Sequence, residues 1–133
     1  LEDYNEDLED FRKAIEINPK NIDSYNNSGS VRCKLEDYRG AIVDFNKAIE
    51  IDPKNTGAYY DSGVAKYEIR DYRGAITDFT KTIEIDPKNV AALIHRGIIK
   101  IIIGQKDSGC LDLSKAGELG SSVAYEAIKE YCQ

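Results

Sequence analysis

Apolar and small residues recur along this chain at steps of three and four. In one stretch they fall at Tyr59, Gly63, Ala65 and Ile69, and then again at Tyr72, Ala75, Ile76, Phe79 and Ile83. Such steps line one face of an α-helix. The two runs part near Arg70-Asp71. Asp71 is placed to start the second run, because its carboxylate can accept a backbone N–H that has no partner inside the helix. The stretch therefore reads as two helices joined by a tight turn. Asp3 and Asp37 hold the matching place earlier in the chain.

The pattern repeats. Pro19, Pro53 and Pro87 are spaced 34 residues apart, and the text around them recurs as Ile-Glu-Ile-Asn-Pro-Lys-Asn or Ile-Glu-Ile-Asp-Pro-Lys-Asn. Between residues 22–55 and 56–89, 19 of 34 positions are identical. A fixed period of this size signals stacked helical units that share one continuous core. Each proline ends a second helix, since it lacks an N–H and disfavours helix in the residue before it. Gly29, Gly63 and Gly97 recur in the first helices, and Ala41 and Ala75 in the second. Glycine inside a helix costs about 1 kcal/mol relative to alanine, so its recurrence points to close helix approach. Tyr38, Tyr72, Phe45 and Phe79 are expected to fill the space between neighbouring units.

The unit Tyr25, Gly29, Tyr38, Ala41, Phe45, Ala48 and Pro53 resembles the tetratricopeptide repeat in residue type and spacing, and the likeness extends over nearly the whole chain. Glu36 and Arg70 stand where the family often has glycine, Ser28 and Ser62 where it prefers leucine, and Thr82 where it prefers alanine. The resemblance implies an all-α fold, a right-handed superhelical solenoid of antiparallel helix pairs. The repeat phase divides a single domain into a leading half repeat with only its second helix (1–21), two full repeats (22–55 and 56–89), a degenerate repeat (90–122) and a capping helix (123–133).

The two ends read differently. Leu1 matches Leu35 and Ile69, so the chain is expected to begin just before a second helix, as a fragment cut at its front. Tyr4, Leu8, Phe11 and Ile15 form a helical stripe short of one neighbour, and such a stripe seeks cover, from upstream repeats or from a second copy in a homodimer. In the last repeat, Leu93 and Gly97 keep the pattern and Gly104 marks the turn. A second helix is expected from Ser108 to Leu119, with Leu111, Leu113 and Ala116. Gly120 is expected to stop it and Ser121 or Ser122 to cap a final, solvating helix from Val123 to Tyr131.

Composition narrows the function. Hydrophobic residues make up 41% and charged residues 32%, a balance that suits a folded domain. The net charge of -6 does not fit the gripping of nucleic-acid phosphates; the acids are expected to solvate outer helix faces, or else to favour basic partners. No apolar run reaches the roughly 20 residues that span a bilayer. Phosphate loops, the His-Glu-x-x-His pair, the Gly-x-Ser-x-Gly elbow and zinc-ligand cysteine spacing are all absent. Neither catalysis, nor a cofactor, nor a metal is expected, and a cytoplasmic location is. Of the three cysteines, Cys110 and Cys132 lie almost equally far from Gly120, which leaves two readings: a pair of buried thiols, or a disulfide formed in an oxidising compartment.

Where units differ on one helix face, they are free to be specific. The resemblance assigns that face of the first helices to a concave groove that receives an extended or helical peptide. Here it runs through Asn26, Asn27, Ser30, Cys33 and Lys34, then Tyr60, Asp61, Val64, Tyr67 and Glu68, then Ile94, His95, Ile98, Ile101 and Ile102. It passes from polar to aromatic to aliphatic, which suits apolar anchors. The partner-binding set expected from this is Asn26, Asn27, Tyr60, Asp61, Val64, Tyr67, Ile94, His95, Ile98 and Ile101. Tyr60 and Tyr67 are the expected hot spots. Alternatively, the isoleucines pack against the final helices or against each other. Chaperone-binding members of the family hold a C-terminal carboxylate with Lys, Asn and Arg. Asn26, Asn27, Lys34 and Arg96 are the only candidates here and do not reproduce that clamp. The expected function is a scaffold for protein–protein contacts that binds a peptide or amphipathic helix in its groove. The alternatives are a structural module that self-assembles through its N-terminal edge and a targeting segment of a larger enzyme.

Overall fold

The computed structural model describes residues 3–133. Leu1, which matches Leu35 and Ile69 in the repeat, lies outside the described residues. These contain eight helices: α1 (Tyr4–Ile17), α2 (Ile22–Lys34), α3 (Tyr38–Ile51), α4 (Thr56–Glu68), α5 (Tyr72–Ile85), α6 (Val90–Ile102), α7 (Lys106–Glu118) and α8 (Ser122–Tyr131). They form two compact units, one up to Arg70 with α1–α4 and one from Asp71 with α5–α8. In each unit every helix packs on the next, and in the first α2 also touches α4.

The helix ends follow from the repeated text. Asp37 accepts from Gly40 N and Asp71 from Gly74 N, each at 3.0 Å. The asparagine of each Pro-Lys-Asn does the same for the following helix: Asn21 accepts from Ser24 N, Asn55 from Ala58 N and Asn89 from Ala92 N. The triplet that stops one helix thus also starts the next. α1, α3 and α5 end at Ile17, Ile51 and Ile85, with one capping residue before each proline. At the turns inside the repeats the chain enters the left-handed region, at Glu36 (φ 61), Arg70 (φ 62), Gly104 (φ 91) and Gly120 (φ 103). Glu36 and Arg70 accept roughly 1 kcal/mol of strain where the family favours glycine.

The core is built from small residues and a few large ones. Ala41, Phe45, Ala48, Ala58 and Ala65 are buried in the first unit, and Ala75, Phe79, Leu93, Ile99, Leu113 and Ala116 in the second. Phe45 is completely buried. Its ring lies on Gly29 of its own helix pair, where an added Cβ would come within 2.5 Å of it. Phe79 does reach the next repeat, with its ring centroid 5.2 Å from that of His95.

The last repeat differs slightly from its expected bounds. α7 begins at Lys106 rather than Ser108 and has no side-chain cap. α8 begins at Ser122, because Ser121 Oγ accepts from Ala124 N at 3.1 Å. Rather than being simply solvating, α8 exposes Val123 and Tyr125 along with Glu126, Lys129 and Glu130.

Candidate functional site

In the first unit the inner faces of α2 and α4 are occupied by small residues: Ser24, Ser28, Gly29 and Val31 on one, Ala58, Ser62, Gly63 and Ala65 on the other. The variable residues fall beside them. Asn26, Tyr60, Asp61, Val64 and Tyr67 are half-buried, and Asn27 is exposed. Asn26 Oδ1 is buried without a hydrogen-bond partner among the described residues.

This face carries negative potential. Burial raises the Asp61 carboxyl above its ordinary value, and no cation offsets the shift. Tyr60 is raised by burial and then by Asp61. The Cys33 thiol is pushed up to about 11 by burial first, then by Asp61, Glu68 and Asp37. Cys33 lies on α2 and feels Asp61 and Glu68 of α4, so the variable faces of these two helices look onto common space.

In the second unit, α6 divides the expected residues. Ile94 packs against the buried cluster of Leu93, Ala116 and Ala124, beside Ile83 and Val90, so it belongs in part to the core. His95 donates from Nδ1 to Ala91 O at 2.8 Å while its ring rests on Phe79, which makes it a packed helix residue. Ile101 lies over Gly109 of α7. Ile98 is half-buried and Ile102 exposed.

Of the residues weighed for a carboxylate clamp, the two cations Arg96 and Lys34 are engaged elsewhere. Arg96 makes a two-point contact with Asp112, Nε to Oδ2 at 2.8 Å and Nη2 to Oδ1 at 2.7 Å, and donates to Thr80 as well. Lys100 Nζ reaches the same carboxylate at 3.1 Å and Ser108 Oγ at 3.0 Å. Asp44 is held likewise by Ser28 at 2.6 Å and Arg32 at 3.0 Å. Lys34 Nζ stands 5.7 Å from the centroid of the Tyr4 ring.

Two further features concern the ends. Cys110 of α7 and Cys132, the residue that caps α8, are joined in a disulfide with their Cα atoms 6.0 Å apart. The pair of buried thiols is thereby excluded, and the signal was the equal distance of the two residues from Gly120. On α1, Tyr4, Leu8, Phe11 and Ile15 are half-buried. Leu8, Ile15 and Pro19 border a cavity of about 510 Å³ whose polar rim includes Arg12, Arg32 and Asp44. Among the described residues no group of His, Cys, Asp and Glu is gathered to hold a metal ion, and no helix is long and apolar enough to cross a membrane.

Stacked two-helix units of fixed period, with variable half-buried faces beside a core of small residues, define a helical repeat scaffold. Family comparison agrees: a TPR repeat model matches residues 29–69, and tetratricopeptide repeat models match 11–43 and 56–89. Together they cover more than half of the chain, which belongs to the tetratricopeptide-repeat family, a class of scaffolds for protein–protein contacts. Solved structures of MamA are similar. One crystal structure of MamA is 19% identical with a TM-score of 0.82, over 85% of this chain and 66% of that one. The segment of MamA from residue 41 to its end, from Desulfovibrio magneticus RS-1, is 21% identical with a TM-score of 0.81, over 87% and 66%. A further MamA crystal structure is 23% identical with a TM-score of 0.82, over 96% and 67%. At these identities the likeness shows the fold alone. The chain spans about two thirds of the length of the structures it matches. No curated protein sequence matches it.

Proposed function

We propose that this chain binds a peptide or an amphipathic helix of a partner protein on the variable faces of its first helices. The observation that carries this reading is the state of α4. Tyr60, Val64 and Tyr67 are half-buried, while the residues that α4 puts into the core are small. Large, stiff aromatic side chains at a partly open face offer much contact area at low entropy cost. Selection from a random peptide library tests it. Peptides selected by the chain should lose at least roughly tenfold in affinity to Tyr67→Ala, measured by fluorescence anisotropy. Affinities unchanged by that substitution would overturn the reading.

One observation supports self-association through α1 as a second reading. Phe11 is half-buried at the repeat position where Phe45 and Phe79 are completely buried. If this edge joins two copies, light scattering should show a dimer that Phe11→Ala converts to monomer. A monomer at high concentration would dismiss it. As to compartment, the free Cys33 is compatible with the cytoplasm, whereas the Cys110–Cys132 bond persists where reductants are scarce.

A further inference from the structure

The repeat provides an internal control for Asp61. Its register is occupied by Asn27 in the repeat before and His95 in the repeat after, so stacking the helices does not call for a carboxylate there. Asp61 is nevertheless half-buried and makes no hydrogen bond or ion pair among the described residues. Two other carboxylates away from solvent are held by named partners: Asp44 by Ser28 and Arg32, and Asp112 by Arg96 and Lys100. An unpaired, half-desolvated carboxylate disfavours folding, and residues kept at such a cost are found where binding needs them.

What surrounds Asp61 decides which ligand would satisfy it. Tyr60, Val64 and Tyr67 give the face apolar area, and Glu68 adds a second negative charge at its end. The charges felt at Cys33 are Asp61, Glu68 and Asp37, all negative. An unpaired carboxylate in negative potential is the complement of a group that only donates and is positively charged. Lysine and arginine side chains are such groups, and their methylene stems can lie along tyrosine rings.

We propose that Asp61 is a specificity residue: it pairs with a lysine or arginine of a bound peptide whose flanking apolar residues rest on Tyr60, Val64 and Tyr67. The proposal rests on the peptide-binding reading above and names the chemistry of its ligand. The charge pair forms at a half-desolvated site, where a charge-assisted hydrogen bond is stronger than at an open surface.

The test is a parallel selection. A displayed library of random twelve-residue peptides is panned against the wild-type chain, Asp61→Asn, Asp61→Lys and Tyr67→Ala, each checked for helicity by circular dichroism. The wild-type chain should enrich peptides with a basic residue at one fixed position between apolar ones. Those peptides, made synthetically, should bind Asp61→Asn about tenfold more weakly, and Asp61→Lys should enrich an acidic residue at the same position. Peptides weakened by Tyr67→Ala but without a basic position, or indifferent to Asp61→Asn, would overturn the role of Asp61 and leave the peptide-binding reading standing. No enrichment, or peptides indifferent to every substitution, would overturn both.

Discussion

Gly29 and the ring of Phe45 interlock. A Cβ on Gly29 would come within 2.5 Å of one ring carbon and 2.7 Å of the next, and the ring itself is completely buried. Alanine at this position would gain helix propensity, about 1 kcal/mol. It would also force apart two helices that meet through a rigid aromatic, and overpacking of a filled core costs about 1–3 kcal/mol. Steric conflict wins because the ring has no flexible end to move aside. Gly29→Ala should lower the thermal midpoint, as read by circular dichroism, and Phe45→Leu should partly restore it.

Asp112 is held by two cations inside the second unit, and its side chain is 9% exposed. Removing one member of a buried charge network leaves the others uncompensated, at a cost of about 3–5 kcal/mol. Asp112→Ala strands both Arg96 and Lys100. It should shift the urea midpoint down strongly with little change in slope, whereas Lys115→Ala, an exposed site on the same helix, should leave the midpoint nearly unchanged.

The Cys110–Cys132 bond ties the end of α8 to α7. A ten-residue helix is marginal by itself, and Ala124 and Ala127 are the side chains it buries. A cross-link over a loop of this size contributes about 3 kcal/mol. Reduction, or Cys132→Ser, should therefore speed amide hydrogen exchange in α8 well before it affects α2 and α3. Equal protection of α8 with and without reductant would mean that helix packing alone retains it.

Cys33 and Asp61 report on each other. With its thiol at about 11 instead of the usual 9.0, Cys33 carries roughly a hundredfold less thiolate than an unperturbed cysteine at the same pH, and the thiolate is the reactive form. Iodoacetamide should label it slowly. Asp61→Asn removes one of the negative charges and should speed labelling, although burial, the larger cause, keeps the rate below that of an exposed thiol.

The same substitution has a signature in stability. The Asp61 carboxyl lies above its ordinary 3.8 in the folded chain, so folding takes up protons over the range between the two values and stability falls as pH rises through it. The cost is absent in acid, where the carboxyl is protonated in both states, and is complete once the pH exceeds the raised folded-state value. Asp61→Asn should accordingly raise the thermal midpoint at pH 7, with the gain vanishing below pH 3.8. A loss of stability at pH 7 would mean that the carboxylate is held by a favourable contact.

Most of the fold is legible in the sequence because it is local. The 34-residue period, the aspartates and asparagines that cap helices, and the prolines that end them act within a few residues of their own positions. Backbone geometry and hydrogen bonding at that range do not depend on distant neighbours. A repeated chain also shows in its sequence which positions differ from unit to unit, and those are the positions proposed to meet a partner.

What the face contains was decided by tertiary packing. Ile94 and Ile98 look alike in sequence, yet Ile94 meets the cluster around Leu93 and Ala116. Arg96 resembles a free cation of the groove and is spent on Asp112, sixteen residues away. Cys110 and Cys132 could have been two thiols until the turn at Gly120 brought α8 back along α7. Burial and pairing depend on which side chains converge from separate helices, and a single residue's identity does not encode that. The sequence by itself therefore determined the helices and their repeat, and the tertiary structure determined which polar groups are satisfied and that Asp61 is not.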